Sequence, residues 1–253
     1  MSKFSHFAAL FLGLVIALAG GCGGGSGGGG SVAPRDGDPG GLWSGTLVVD
    51  GVPGTQDMVG ISVADGRFRM ISVDTGGQFV GTVRVSGSSV SGSGKAYAPA
   101  GTTWRDGSTV TTVSCTGTLA ERRSLDGSWS TGAGESGTVS LDYDPDYEKD
   151  SALARVAGTW IVYDDALAPI ATFTIEANGN LFAQNAIGCT TTGRISLIDA
   201  RYNVYDVVTT VSGCPIAGDY TGLGTLGDLE SPDDALVLGM SNEARALLVL
   251  LQR

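Results

Sequence analysis

The sequence predicts an all-β protein built from two tandem small antiparallel meander barrels of about eight strands each. Runs rich in β-branched and aromatic residues, with patches of alternation, recur along the chain from residue 41 onward. Asp-Gly and Asn-Gly pairs lie between several of these runs, where type I′ hairpin turns require positive φ. A weak internal repeat then divides the strands into two sets, which favours two small domains over a single large one.

The N-terminal segment, residues 1–21, has the layout of an export signal. Lys3 precedes an apolar run from Phe7 to Leu18, and small residues stand directly before Cys22. The run is too short to span a bilayer comfortably, so a secretory signal is favoured over a transmembrane helix. This segment resembles a bacterial lipoprotein signal, in which cleavage falls just before the cysteine. The resemblance implies that Cys22 carries the lipid; the alternative is a plain secretory signal with an incidental cysteine.

Residues 22–40 are predicted to form a flexible tether. Gly23 to Ser31 is almost pure glycine and serine, a composition that buries nothing and forms a coil, and the whole tether would span about 25 Å on average. In Gram-negative lipoproteins an Asp after the lipidated cysteine tends to retain the protein in the inner membrane, and Gly23 is not Asp. The resemblance therefore implies lipid anchoring in the outer membrane, on its periplasmic or its surface face.

The mature chain is acidic and lacks histidine. Loss of residues 1–21 removes Lys3, one of the 15 basic residues, and His6, the single histidine. All 26 acidic residues stay. Without an imidazole, Ser-His-Asp and Cys-His catalysis and histidine-ligated zinc are excluded. The only candidate basic cluster, Arg122-Arg123, is predicted to be ordinary surface. Neither nucleic acid nor anionic headgroups are expected partners, and no cofactor is expected.

The internal repeat sets the domain boundaries. Gly41-Leu42-Trp43 opens the first half and Gly158-Thr159-Trp160 opens the second. Asp65-Gly66 in the first half matches Asn178-Gly179 in the second, with unequal loops that indicate duplication of a fold unit rather than a solenoid. The predicted domains are therefore a first barrel over 41–143, an acidic connector over 144–156 and a second barrel over 157–253.

The strands follow in order from the β-branched and aromatic runs. In the first half the runs are Leu42 to Val49, Val59 to Val63, Phe68 to Val73, Phe79 to Val85, Thr109 to Leu119 and Thr138 to Tyr143. In the second half they are Gly158 to Tyr163, Ile170 to Ile175, Leu181 to Ile187, Thr190 to Ile198, Val204 to Val211, Tyr220 to Leu226, Ala235 to Met240 and Ala246 to Leu251. An antiparallel meander of this length can close on itself and so remove its exposed edges.

The opening Gly-x-Trp and the closing strand at Leu247 to Leu251 resemble a lipocalin-like or calycin-like barrel. The chain also resembles uncharacterised two-repeat lipoproteins of proteobacteria, in which a segment like Leu141 to Tyr147 joins the halves. The resemblance implies barrels whose interior is either filled by side chains or holds one small ligand. Tryptophan at the base of a barrel is otherwise explained by core packing.

Beyond Cys22 the chain has three cysteines, so at least one of them lacks an intramolecular partner. Cys189 and Cys214 lie beside turn residues within the second half, and they are predicted to form a disulfide in an oxidising compartment. Cys115 lies in a predicted strand, where a cysteine is most often a small buried hydrophobe.

Five carboxylates alternate from the end of the first predicted barrel into the connector, at Asp142, Asp144, Asp146, Glu148 and Asp150. Such a cluster could attract calcium, but alternation on an extended chain arranges the side chains in a row rather than around a point. A solvated connector is the favoured explanation, and no metal site is predicted.

These observations predict a non-enzymatic lipoprotein. The leading function is a module that binds a protein partner, as an inhibitor or immunity factor in the cell envelope, and an acidic surface would suit a basic partner. The alternative is a carrier of a small apolar ligand within one barrel. An enzyme that uses carboxylates alone is the third class, and no catalytic residue is predicted.

Overall fold

The structure, a computed structural model, describes residues 35–185 and 188–253. Two closed antiparallel barrels, each an eight-stranded meander, confirm the predicted fold class. The first barrel comprises β1 Gly41–Val49, β2 Gln56–Ser62, β3 Arg67–Ser72, β4 Gln78–Ser86, β5 Ser89–Tyr97, β6 Val110–Ala120, β7 Ser124–Thr131 and β8 Ser136–Asp144. The second comprises β9 Gly158–Tyr163, β10 Pro169–Ile175, β11 Asn180–Asn185, β12 Thr190–Leu197, β13 Tyr205–Ser212, β14 Gly218–Gly227, β15 Ala235–Ser241 and β16 Ala246–Gln252.

Two strands of the first barrel, β5 and β7, were not among the predicted runs. Their sequences, SVSGSGKAY and SLDGSWST, are rich in serine and glycine, which are depleted in strands and typical of loops. They form strands because each pairs along its full length with both neighbours, so the ladder and not local propensity determines their conformation.

The hairpins form at the predicted Asp-Gly and Asn-Gly pairs, but the predicted type I′ geometry is wrong. Gly66 and Gly179 have φ of 91° and 88°, whereas Asp65 and Asn178 are not at positive φ. Gly66 N donates to the Val63 carbonyl at 2.8 Å, and Gly179 N donates to the Glu176 carbonyl at 2.8 Å. One extra residue in each loop accounts for this, since three-residue hairpins use a type I turn followed by a left-handed glycine.

Each Gly-x-Trp tryptophan is buried at the base of its barrel. Trp43 Nε1 donates to Ser62 Oγ at 2.7 Å, and that hydroxyl donates in turn to the Pro39 carbonyl. Trp160 Nε1 donates to the Val156 carbonyl at 2.8 Å, and the Arg253 guanidinium lies 4.4 Å above the Trp160 ring. Both tryptophans therefore bury a large apolar surface and satisfy their only polar atom.

The predicted connector is ordered. A 3₁₀ turn, Pro145–Glu148, and a short helix α1, Leu153–Val156, lead from β8 to β9. Tyr147 is only 3 % exposed, and its ring stacks on Tyr202 of the second half with centroids 4.7 Å apart. The aromatic residues of this segment have a structural role, since Tyr143 also packs edge-on against Tyr147 with ring centroids 6.2 Å apart.

The two barrels dock against each other, and residues 36–253 form one compact unit. Tyr147 lies in an apolar cluster with residues of both barrels, among them Ile61 and Val63 from the first and Val204 and Leu223 from the second. Polar contacts surround it, including the Arg67–Asp206 ion pair at 2.6 Å.

The last residues of the predicted tether are held against the first barrel. Gly37 N donates to the Gly87 carbonyl at 3.0 Å, and Gly87 N donates to Asp36 Oδ1 at 2.8 Å. The predicted signal segment and most of the predicted tether lie outside the described residues.

Candidate functional site

The first barrel contains an apolar cavity of about 80 Å³. Its lining is supplied by strands from around the whole barrel. The lining side chains include Leu47, Met58, Phe68, Met70, Phe79, Val113, Cys115, Leu125, Trp129, Val139 and Leu141. Because these groups offer almost no hydrogen-bond partners, the cavity suits an apolar occupant rather than water.

The cavity exists because glycine occupies inward positions of adjacent strands. Gly117 of β6 lies directly opposite Gly127 of β7, and both line the cavity. A Cβ on Gly127 would lie 2.5 Å from the Thr116 carbonyl oxygen, so the close approach of the strands excludes any larger residue. Glycine therefore permits tight coiling of the sheet and leaves space that no side chain fills.

Large side chains fill the second barrel. Trp160, Tyr205, Tyr220, Ile195 and Leu236 are each at most 1 % exposed. The hydroxyl of Tyr220 donates to the Ile216 carbonyl at 2.7 Å, so its burial leaves no polar atom unsatisfied. The second barrel thus shares the topology of the first and packs a core of large buried side chains.

Cys115 stands at the cavity wall with its thiol free. Burial raises the pKa of this thiol above its ordinary value, which keeps it protonated and poorly nucleophilic at neutral pH. Its position agrees with a small hydrophobe in the barrel wall rather than with a reactive centre.

Of the predicted site residues, the lipidation candidate Cys22 lies outside the described residues. Cys189 and Cys214 are joined by a disulfide with their Cα atoms 5.1 Å apart. They flank the paired strands β12 and β13, where Thr190 lies opposite Ser212. The disulfide therefore links the two strands at the open end of the β12–β13 hairpin. It belongs to the second barrel, whereas the cavity lies in the first.

The five alternating carboxylates do not converge. Asp144 Oδ1 accepts from Asp146 N at 2.9 Å and caps the 3₁₀ turn, while Asp146 pairs with Lys149 at 2.9 Å. Glu148 pairs with Arg122 at 2.8 Å. Within residues 35–185 and 188–253, no group of three or more acidic, cysteine or histidine side chains is arranged to hold a metal ion.

The cavity residues were not identified from the sequence. Their inward glycines look like loop residues when read singly, and only the pairing of Gly117 with Gly127 shows that they face each other across adjacent strands. Glycines at inward positions of several neighbouring strand candidates would have been the available signal.

Comparisons of the chain with protein-family models, with curated proteins and with solved structures found no match. Within the described part of the chain, none of the helices has the length and apolar character needed to cross a membrane.

Proposed function

We propose that the chain is a non-enzymatic, lipid-anchored protein of the bacterial cell envelope that carries a small apolar ligand inside its first barrel. The apolar cavity of about 80 Å³ carries this proposal. The resemblance read from the sequence supports it: the opening Gly-x-Trp and the closing strand resemble lipocalin-like barrels, and most of the mature chain resembles two-repeat proteobacterial lipoproteins. The lipoprotein-like signal that ends before Cys22, followed by Gly23 rather than Asp, supports lipid anchoring in the outer membrane.

The volume restricts the class of ligand. Typical small-molecule pockets have roughly 300 to 1,000 Å³, and a dry engineered cavity of about 150 Å³ takes benzene or xenon. A cavity of about 80 Å³ therefore suits a slender apolar molecule or the end of an alkyl chain. Met58 and Met70 both line it, and flexible thioethers let such a cavity adapt to its occupant.

The test uses xenon and n-pentane as probes of the folded protein. Leu47, Val113 and Leu141 have methyl groups at the cavity wall, so their NMR signals should shift in a saturable way with either probe. The Cys115→Leu variant should abolish both responses, because a larger apolar side chain at the wall occupies the space. It should also raise the free energy of unfolding by up to about 2 kcal/mol, the cost expected of a void of this volume.

The matched control is Cys115→Ser, which keeps the side chain small and should bind both probes. Absence of any shift in the unmodified protein, or equal responses in Cys115→Leu and Cys115→Ser, would contradict an apolar binding site in this barrel.

A protein-binding module is the second candidate, and the charge of the chain supports it. With 26 acidic residues against 15 basic ones, the surface would steer a basic partner toward it and would do so less at high salt. In this case the cavity variants would leave the association unchanged. The exposed apolar side chains, such as Phe182 and Val208, stand on strands separated by β12, and scattered apolar residues of this kind do not make an apolar docking face.

A further inference from the structure

A cleft of about 350 Å³ lies between the two barrels. One wall is formed by β3, β4 and β5 of the first barrel and the other by β14, β15 and the loop after β15. Arg67, Arg69 and Lys95 all line it, although they are separated along the chain. The sequence pointed only to Arg122-Arg123 as a basic cluster, and the cluster in the cleft was missed. The available signal was the alternation along β3, which places Arg67 and Arg69 on the same face of the strand.

Arg67 and Lys95 each have a carboxylate partner. Arg67 pairs with Asp65 at 2.8 Å and with Asp206 at 2.6 Å. Lys95 pairs with Glu243, whose side chain is 96 % exposed. The second pair is a surface ion pair that contributes little to stability and exchanges readily.

Arg69 differs from both because it has no carboxylate partner among the described residues. Its Nη1 donates to Ser241 Oγ at 3.0 Å and its Nη2 to the Thr221 carbonyl at 2.5 Å. A guanidinium has five N–H donors, so three of the five have no acceptor within residues 35–185 and 188–253. No fully buried side-chain nitrogen in that part of the chain lacks a partner, so Arg69 Nε, which has no acceptor there, is open to solvent.

Burial of the Arg69 side chain disfavours the charged form of its guanidinium. Burial lowers its pKa to about 10, which still leaves it charged at neutral pH. Charges removed from water are normally paired with an opposite charge or an acceptor. A protein that keeps a half-buried guanidinium with free donors at a cleft has the elements of a site for an oxyanion, since the planar fork matches carboxylate and phosphate.

We propose that the inter-barrel cleft binds a small organic anion, whose carboxylate or phosphate group accepts hydrogen bonds from the free edge of the Arg69 guanidinium. Lys95 supplies a second charge within the same cleft, and Val80 and Tyr97 offer an apolar and aromatic wall for the organic part. The volume of about 350 Å³ falls within the usual range for small-molecule pockets, roughly 300 to 1,000 Å³.

Titration calorimetry of the full chain at constant ionic strength tests this with benzoate, phenyl phosphate and the neutral analogue benzamide. At least one anion should bind at least about tenfold more tightly than benzamide, since hydrogen bonds to a charged group contribute more than neutral ones. The tighter of the two anions identifies carboxylate or phosphate as the preferred group. Arg69→Gln should weaken the binding of that anion about tenfold or more, and Arg69→Lys should weaken it less.

Arg84→Gln is the matched control, because Arg84 is an exposed arginine on the neighbouring strand β4 and does not line the cleft. This variant removes the same charge and should leave the affinity unchanged. Failure of both anions to bind, binding equal to that of benzamide, or an equal loss in Arg84→Gln and Arg69→Gln would overturn the proposal. The barrel cavity shares only Phe68 with the lining of the cleft, so Cys115→Leu should not alter anion binding, and the two proposals fail independently.

Discussion

At the scale of single residues, a buried aspartate organises the loop between β14 and β15 of the second barrel. Asp234, 7 % exposed, lies just before β15. Its Oδ1 accepts from Leu229 N at 2.6 Å, and its Oδ2 accepts from Glu230 N at 2.9 Å and from Ser231 N at 2.8 Å. Burial opposes ionisation, but these donors outweigh it and lower the pKa of Asp234 to about 2.

We expect Asp234→Ala to lower the free energy of unfolding by about 2 to 3 kcal/mol, because three backbone donors lose a charged acceptor. Urea unfolding at pH 7 measures this. Asp165→Ala, which changes an exposed loop carboxylate, should stay within about 0.5 kcal/mol of the unmodified protein. Equal effects of the two substitutions would show that the Asp234 contacts contribute nothing.

The same aspartate predicts the direction of the pH dependence. Its folded-state pKa lies below its ordinary value near 4, so its contribution to stability is complete above about pH 4 and is lost as the pH falls toward 2. Stability of the unmodified protein should therefore decline more between about pH 4 and pH 2 than that of Asp234→Ala.

At the scale of elements, the hairpins are stabilised by interstrand hydrogen bonds and by glycines in the turns, and one hairpin also by a disulfide. The disulfide between Cys189 and Cys214 closes a segment with a sequence separation of 25 across strands β12 and β13. Chain-entropy estimates for a loop of this length give about 3 to 4 kcal/mol, through restriction of the unfolded state.

Reduction should therefore lower the melting temperature by roughly 6 to 16 °C, the shift expected for a folded unit of this size. Calorimetry with and without reductant measures it, and Cys115→Ser should show the same shift because Cys115 is free. Non-reduced tryptic peptides should contain Cys189 linked to Cys214. A peptide in which Cys115 is linked to either of them would contradict this pairing.

At the scale of the whole molecule, the barrels are coupled through the connector. Each barrel has its own core, so each half buries apolar surface of its own. Separated halves would, however, expose the apolar residues of the cluster around Tyr147. These are Ile61 and Val63 on one half and Val204 and Leu223 on the other. Isolated halves are therefore expected to associate when mixed.

We expect Tyr147→Ala to uncouple the barrels. Removal of a buried aromatic side chain lowers the free energy of unfolding by about 3 to 5 kcal/mol. Here the lost packing is that between the two barrels. A calorimetric trace with one main transition should separate into two. Tyr163→Ala, a half-buried tyrosine at the end of β9 that does not belong to the docking cluster, should keep a single transition. Identical traces for the two variants would show that the connector does not transmit stability between the barrels.

The sequence by itself determined the all-β class, the division into two barrels and all eight strands of the second half. Those strands have β-branched runs, and their inward side chains are buried in the core of the second barrel, so local propensity and tertiary packing agree. Strands β5 and β7 could not be predicted, because serine and glycine favour loops until both neighbours supply hydrogen bonds. The cavity and the cleft were decided only by the tertiary structure. Gly117 meets Gly127 through strand register, and Arg69 reaches Ser241 across 172 positions of sequence only when the barrels dock. Contacts between residues so distant in the chain leave no pattern in the local sequence, because the two residues become neighbours only in the folded molecule.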